Sequence, residues 1–480
     1  MKRDLAALTD RHHDLVVIGG GIHGAAVAWD AAQRGLSVAL VEAADFGSGT
    51  SWNSLKTVHG GLRHLQRADL AGLRESARER AALLRIAPRL VRPLPFLVPT
   101  YAGQPPSRAA LFAGLRLSDL LTLGRNVGLP PGQGVPNGRL LSAREVLARV
   151  PALDSPGLTG GAEWTDAQVA STERLLLAFL LAAADAGAAL ANYAEVTRLE
   201  RADGRVTGVA VRDALRGDTL AVRGRLVVNA AGPAIEGVLS LAGLPRTPVP
   251  MLHAANLVLD RAVVATHAVG ARTGGRFLFL VPWQGRSIVG TTYAAGAVPP
   301  VATEFLDEVR RAYPWAGLQE GDVALVHRGR VPGSGGARGL RTRSRLIDHE
   351  QEDGLAGLLS VLSAKYTTAR AMAERAVDAA VRRLARPAAP CRTSFTPLLH
   401  AGPLHGTLQE QARRAAGEEA AVHLEDAVFR RLDLATAGRP PQAIVDEVAA
   451  AMAGELGWDV GRLRYERDRL AAALQAVEAR

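Results

Sequence analysis

Three glycines near the N-terminus, Gly19, Gly21 and Gly24, have the spacing G-x-G-x-x-G. They follow an apolar run at residues 15–18 and precede a helix-compatible segment at residues 25–34, which stops at Gly35. In such a unit one glycine makes a tight turn, one lets backbone approach a pyrophosphate, and one packs helix against strand. The helix N-terminus adds free N–H groups and the positive end of a dipole. A second apolar run, Val38–Val41, ends on Glu42, near the separation at which an acid reaches a ribose hydroxyl. The unit predicts a dinucleotide site, and its spacing does not distinguish FAD from NAD.

Further along, residues 43–63 are rich in hydroxyls, glycine and amide, a composition for turns near phosphates. Val58-His-Gly-Gly-Leu-Arg63 sets two glycines between an imidazole and a guanidinium, which suits backbone pressed against a flat ligand. Lysine occurs only at Lys2, Lys56 and Lys365, so the latter two stand out. Lys365 lies in Ser363-Ala-Lys-Tyr-Thr-Thr-Ala-Arg370, after the apolar run 358–362 and before a helical segment, a second strand–turn–helix. Leu226-Val-Val-Asn-Ala-Ala-Gly-Pro233 reads as a buried strand ending in a small-residue turn where backbone can meet a cofactor.

The elements that must position these residues are legible from periodicity and punctuation. Helices are predicted at 68–88, 108–123, 171–186 and 303–313. A β-meander is predicted at 194–199, 206–212 and 219–222, and further strands at 257–259, 277–281 and 287–290. Pro93, Pro95 and Pro99 interrupt regular structure around a strand at 94–98. A proline-rich linker at 386–400 leads to helices over 406–480, broken at 436–441. The fold class is α/β: a Rossmann-like dinucleotide-binding domain, a mixed-sheet substrate domain and a C-terminal helical domain. Its boundaries are 13–100, 161–247 and 339–386 for the first, with a cap segment at 101–160. The substrate domain takes 248–338 and the helical domain 398–480.

Net charge is +10, carried almost wholly by arginine scattered along helical faces, and aromatic residues are 4%. Without a basic stripe, nucleic acid is not an expected partner. The single Cys391 excludes an intramolecular disulfide and a cysteine cluster. No apolar run reaches the ~20 residues of a membrane span, and the first dozen residues lack the apolar core of a secretory signal. Cytoplasmic residence is expected, with attachment to a membrane surface left open.

Together these motifs resemble the FAD-dependent glycerol-3-phosphate dehydrogenases, members of the D-amino-acid-oxidase-like flavoproteins. The matches run in order: Ile18-Gly-Gly-Gly-Ile-His-Gly24, Thr50-Ser51 through Lys56, His59-Gly-Gly-Leu-Arg63, Val228-Asn-Ala-Ala-Gly-Pro233, Val281-Pro-Trp283, Ile288-Val-Gly-Thr-Thr292 and Lys365-Tyr-Thr-Thr368. Leu424-Glu-Asp-Ala-Val-Phe-Arg-Arg431 and Gly457-Trp458 resemble the family's terminal helices. The resemblance selects FAD. It implies oxidation of the C2 alcohol of glycerol 3-phosphate, or a related phosphorylated polyol, by hydride transfer to flavin N5. An anionic small-molecule substrate and a quinone or other electron acceptor follow, with the protein cytoplasmic or peripheral on the inner face of the cell membrane. No metal and no oligomeric state is implied.

By this resemblance the cofactor is held by Gly19, Gly21, Ile22, His23, Gly24, Glu42 and Ala43. Thr50, Ser51, Ser54, Lys56, His59, Gly60 and Gly61 continue the site, which closes with Val196, Ala230, Gly232, Lys365, Tyr366 and Thr367. Arg63, His64, His253 and Lys365 are the catalytic candidates, and Arg63, Arg330, Asn256 and Lys365 the substrate-binding ones. The chain departs from the family at the substrate. The K-G-S-H-like segment reads His253-Ala-Ala-Asn256, and G-V-R-P reads Gly329-Arg-Val-Pro332. The tyrosine after H-G-G-L-R is His64, and the aspartate after Gly-Thr-Thr is Tyr293. Asn cannot act as a base near neutral pH and Val cannot bind phosphate. His253 or His64 is therefore the expected acid/base, its unperturbed pKa near ~6.5. Arg328 and Arg330, two apart on a strand, are expected to present a guanidinium pair. Two alternatives share the cofactor: a flavin enzyme for another hydroxy or amino substrate, and a flavin-binding protein without turnover.

Overall fold

The computed structural model describes residues 1–244, 250–274, 276–296, 298–334, 339–340 and 343–478. The opening unit forms as read: β1 is His13–Ile18, α1 is Ile22–Gln33 and β2 is Val38–Val41. Every residue of β1 and β2 is buried, the pattern of parallel strands covered on both faces. Arg34 caps α1, and Gly35 follows at φ +85°, a left-handed stop that a β-carbon would strain. Beyond β2 lies the strand Ala189–Ala191; beyond β1 lie Thr219–Asn229 and Leu358–Leu362, all parallel. The carboxyl ends of these strands share one edge of the sheet, from which the turns at 19–21, 230–232 and 363–368 emerge. α1 packs between the helices Thr172–Asp185 and Ala369–Leu384, with Trp29 edge-on to Phe179 at 5.2 Å. The meander is present, but the runs at 219–222 and 226–229 are one continuous strand: its first half pairs with the meander and its second with β1.

The second sheet is mixed, as expected, and draws on more of the chain. Its long strands are β3 (Val91–Tyr101), β4 (Leu158–Val169), β5 (Met251–Leu259), β6 (Arg286–Ala294) and β7 (Val323–Ser334). β3 and β4 pair antiparallel along their whole length, while Ala268–Thr273 runs parallel to β3. The boundaries at 100/101 and 160/161 therefore fall inside strands; those at 247/248 and 338 lie outside the described residues. Pro93, Pro95 and Pro99 do not break β3. They stand at alternate positions, so their missing N–H groups all point away from β4, toward an edge that Ala268–Thr273 pairs only at Phe96 and Leu97. One face of the sheet packs Leu257, Leu280 and Val289 under Phe305, Leu306 and Val309 of the helix Ala302–Ala312. The other face buries Phe96, Val258, Trp283 and Ile288 with Leu55.

α2 (Leu70–Ile86) and α3 (Arg108–Leu121) flank this sheet. The C-terminal helices Leu408–Glu418, Gln442–Leu456 and Val460–Val477 enclose their own core, which takes in Trp52 from the loop after β2. A π-helical turn, Asp426–Arg431, ties that core to the first domain. Among the described residues no helix is long and apolar enough to cross a membrane.

Candidate functional site

The glycine turn is built from close backbone approaches. At Gly19, φ +105°, a β-carbon would stand 2.7 Å from the Ala230 carbonyl oxygen; at Gly24 it would stand 1.9 Å from that of Gly19. Gly21 is the N-cap of α1, and Ile22 N–H donates to Ser51 Oγ at 3.0 Å. Glu42, whose carboxylate burial pushes upward in pKa, accepts from Gly20 N–H at 2.6 Å and from Ala44 N–H at 2.9 Å. Ala43 is exposed beside it, and Val196 leans on the underlying core. His23, on the first turn of α1, has a buried Nε2 without a partner. Burial takes its imidazole down to about 4, partly offset by a hydrogen bond to the Lys365 backbone. A cradle that any β-carbon would fill, at a helix N-terminus beside an orphaned buried nitrogen, fits the phosphates and polar atoms of a dinucleotide. Ala230 and Gly232 complete one wall.

The loop after β2 is more structural than its composition suggests. Thr50 Oγ1 accepts from Arg330 N–H at 3.0 Å and donates to its carbonyl at 2.9 Å. Ser54 Oγ accepts from Lys56 N–H. The Lys56 ammonium is fully buried; it donates to Glu173, to Thr172 Oγ1 and to the Trp52 carbonyl, and lies over the Trp283 ring. As a cofactor ligand Lys56 is thus corrected to an internal ion pair, and its backbone carbonyl is taken as well, accepting from Val169 N–H at 2.8 Å. Gly60 and Gly61 permit close approach, but to protein. β-carbons there would meet Arg80 Nη1 at 2.1 Å and Ser76 Cβ at 2.9 Å. Asp166 gathers Gly60 N–H, Arg80 and the half-buried His59, and its depressed pKa persists against burial because of His59 and Arg80.

Past Gly61 a 3₁₀ turn, Leu62–Arg67, separates two neighbours: Arg63 is exposed, with no ion pair or hydrogen bond among the described residues, and His64 is 3% exposed. His64 Nδ1 is 2.9 Å from Asp69 and its Nε2 is 2.7 Å from Lys365 Nζ. Lys365, Tyr366 and Thr367 sit on the turn before the helix Ala369–Leu384, with the Tyr366 hydroxyl donating to the Thr172 carbonyl at 2.8 Å. Burial, and then Arg63, lower the Lys365 pKa to about 8. Burial and Lys365 lower that of His64. Asp69 was not singled out by the sequence reading, although an Asp directly before an apolar-periodic helix is an N-cap signal. It caps α2 through Gly72 N–H and pairs with Arg343, whose hydrogen bond leads the forces holding its carboxyl well below the usual range.

Three other candidates do not join this cluster. Opposed residues share a face in an antiparallel pair, and faces alternate along each strand. His253 opposes Arg330 and Ala255 opposes Arg328, so all four lie on the face of Leu257, beneath the Ala302–Ala312 side of the sheet. The guanidinium pair is therefore on one face, with Arg330 exposed, but it is the face opposite Asn256 and Val331. His253 as acid/base and Arg330 as substrate ligand are corrected on that ground. Asn256 is on the inner face but spent: its Nδ2 donates to the Asn53 carbonyl at 3.1 Å and its Oδ1 accepts from Thr291 at 2.7 Å. It clasps the loop after β2 to the sheet.

A family model described as FAD dependent oxidoreductase matches residues 14–379. The chain is 34% identical to a glycerol-3-phosphate dehydrogenase of Synechocystis sp., over 82% of this chain and 75% of that protein. It is equally 34% identical to the mitochondrial glycerol-3-phosphate dehydrogenase of Bos taurus, over 79% of this chain, and spans about half the length of that relative (54%). In fold it matches the glycerol-3-phosphate dehydrogenase from Bacillus halodurans complexed with FAD, with a TM-score of 0.74 and 22% identity, over 98% of this chain and 96% of that one.

Proposed function

Because the chain belongs to the FAD-dependent oxidoreductase family and uses FAD as its cofactor, we propose that it oxidises the C2 alcohol of glycerol 3-phosphate or a related phosphorylated polyol. Bound FAD supplies the hydride acceptor; the protein must hold the phosphate, orient the C–H bond and receive the hydroxyl proton. Arg63 and Lys365 carry this reading. They lie close enough for Arg63 to depress Lys365, and among the described residues neither is ion-paired with a carboxylate. An unneutralised cation pair beside a cofactor turn favours an anionic substrate, with Arg as a planar fork for phosphate and Lys as a point charge. The pyrophosphate lies along Gly19, Gly21, Ile22, Ser51 and Gly24, and the ribose toward Glu42 in this reading.

Electrons leave to a quinone or another acceptor, with the protein peripheral on the inner face of the cell membrane. That contact is supported by α3, where only Leu115 is buried while Phe112, Leu117 and Leu120 are exposed, continued by Leu123 and Val127. Arg116, on the exposed side of the helix, borders the stripe, as on a helix lying in a lipid interface. The decisive measurement is anaerobic: glycerol 3-phosphate bleaches the flavin, and unphosphorylated glycerol does so far less. Bleaching only by an acid or amine would replace this reading with that of another flavin oxidoreductase, which Asn256 and Val331 on the inner face would then explain.

A further inference from the structure

Lys365 is half-buried, whereas His64 behind it is almost fully enclosed, so of the two only the amine can reach a substrate. An ionised carboxylate only accepts hydrogen bonds, so Asp69 fixes the proton of His64 on Nδ1. Nε2 then presents its lone pair, and Lys365 must donate across the 2.7 Å contact. The line Asp69–His64–Lys365 thus has one direction. Its surroundings are mixed in charge: Arg63 from the 3₁₀ turn, Glu75 from α2, Arg343 on the far side of Asp69, and the His23 ring of α1 against the Lys365 backbone.

We propose that Lys365 takes the hydroxyl proton of the substrate and that His64, pinned by Asp69, is the positioning residue that aims the amine and shares the proton. This rests on the alcohol-oxidising reading above. In the step, the O–H bond breaks and its proton bonds to the lone pair of neutral Lys365 Nζ. The C–H bond breaks with its electron pair leaving as hydride to the flavin, and the C=O bond forms. The proton on Nζ hydrogen-bonds to His64 Nε2, whose partial positive charge faces the Asp69 carboxylate. Nothing about Arg63 is required except that it hold the anionic end.

With three lysines in the chain, [ε-¹³C]lysine NMR of the FAD-loaded protein gives three signals, and the Lys365 signal reports its titration without substrate. In the wild type it titrates near about 8, and the rate of anaerobic flavin reduction rises with pH through the same value. Asp69→Asn keeps an N-cap for α2 but removes the charge that supports the ammonium. The Lys365 titration and the rise in rate both move to lower pH, together, with KM unchanged. His64→Gln keeps an acceptor for the amine and loses the shared proton; kcat falls on the order of 10²-fold, again with KM unchanged. Bleaching of the wild type with both variants leaving titration and profile in place overturns the relay alone. A wild-type flavin that no alcohol reduces overturns the reading it rests on, and the relay with it.

Discussion

Asp45 lies between Arg430 and Arg431, whereas Asp69 lies beside His64 and, through it, Lys365. Both carboxylates are enclosed, and the cations decide what each cluster can do. At Asp45 every acceptor is taken: Arg431 reaches both oxygens at 2.7 and 2.8 Å, Arg430 one of them, and Asn192 Nδ2 the other at 2.9 Å. Arg430 continues to Asp426, which also receives the Tyr193 hydroxyl. Burial would raise Asp45, but Arg431 and Arg430 hold it far below the ordinary carboxylate range. A guanidinium does not deprotonate in a protein, so this knot has one charge state. It clamps the C-terminal π-helical turn onto the loop following Glu42. From Asp69, which Arg343 pairs on its other side, the line runs to an imidazole and through it to an amine, groups whose charge changes within the working range of pH. The same enclosure that makes the first cluster permanent makes the second responsive.

The strongest way to break that contrast is to move the knot's cation into the relay. Lys365→Arg keeps positive charge beside Arg63 but cannot give up a proton, so kcat is expected to fall by about 10²–10⁴-fold and the rise near about 8 to vanish. Flavin content and unfolding midpoint are expected to stay close to wild type. Stopped-flow flavin reduction across pH reads the first; absorbance and thermal melts read the second. The converse change is Asp45→Ala, which strands the buried Arg431 guanidinium and leaves Arg430 with Asp426. The expected cost is about 3–5 kcal/mol of stability by denaturant titration, with turnover per folded molecule preserved. If turnover per folded molecule fell instead, the knot would belong to the chemistry and the distinction would fail.

The contrast also marks how far the chain could be read in advance. β1, the glycine turn, α1 and β2 are local: each residue's partner lies within one turn or one adjacent strand, and Gly19, Gly24 and Gly35 announce it. The meander, present in the structure, is local in the same sense. What was not legible depends on long-range pairing. The prolines of β3 could be placed only once β4, some seventy residues on, supplied the register. The face of Arg330 and His253 followed from β5 and β7 pairing, because a shift of one residue exchanges the two sides of a strand. Lys56 looked free in sequence since its partner, Glu173, belongs to a distant helix. His64 and Lys365 were each singled out, but Asp69 and the line through all three appear only when residues 300 apart meet.

Arg343 gives the finest test, because it joins the two behaviours at one residue: a guanidinium, as in the knot, on the carboxylate of the relay. Unlike Arg430 and Arg431 it is 70% exposed, so water and salt screen it. Its hydrogen bond is nevertheless the first cause of the low Asp69 pKa. A depressed carboxylate contributes stability that is present above its unfolded value of 3.8 and is lost as pH falls through the folded one. In Arg343→Ala the folded value rises toward the ordinary range, so a small, salt-screened part of the stability present above 3.8 is lost at neutral pH and acid unfolding begins at a higher pH. Asp69 remains ionised at neutral pH in both proteins, His64 keeps its proton on Nδ1, and the Lys365 resonance titrates where it did. An acid midpoint that moves with a Lys365 titration that does not would place Arg343 outside the relay. Movement of both would mean that an exposed guanidinium tunes the buried amine through two intervening side chains.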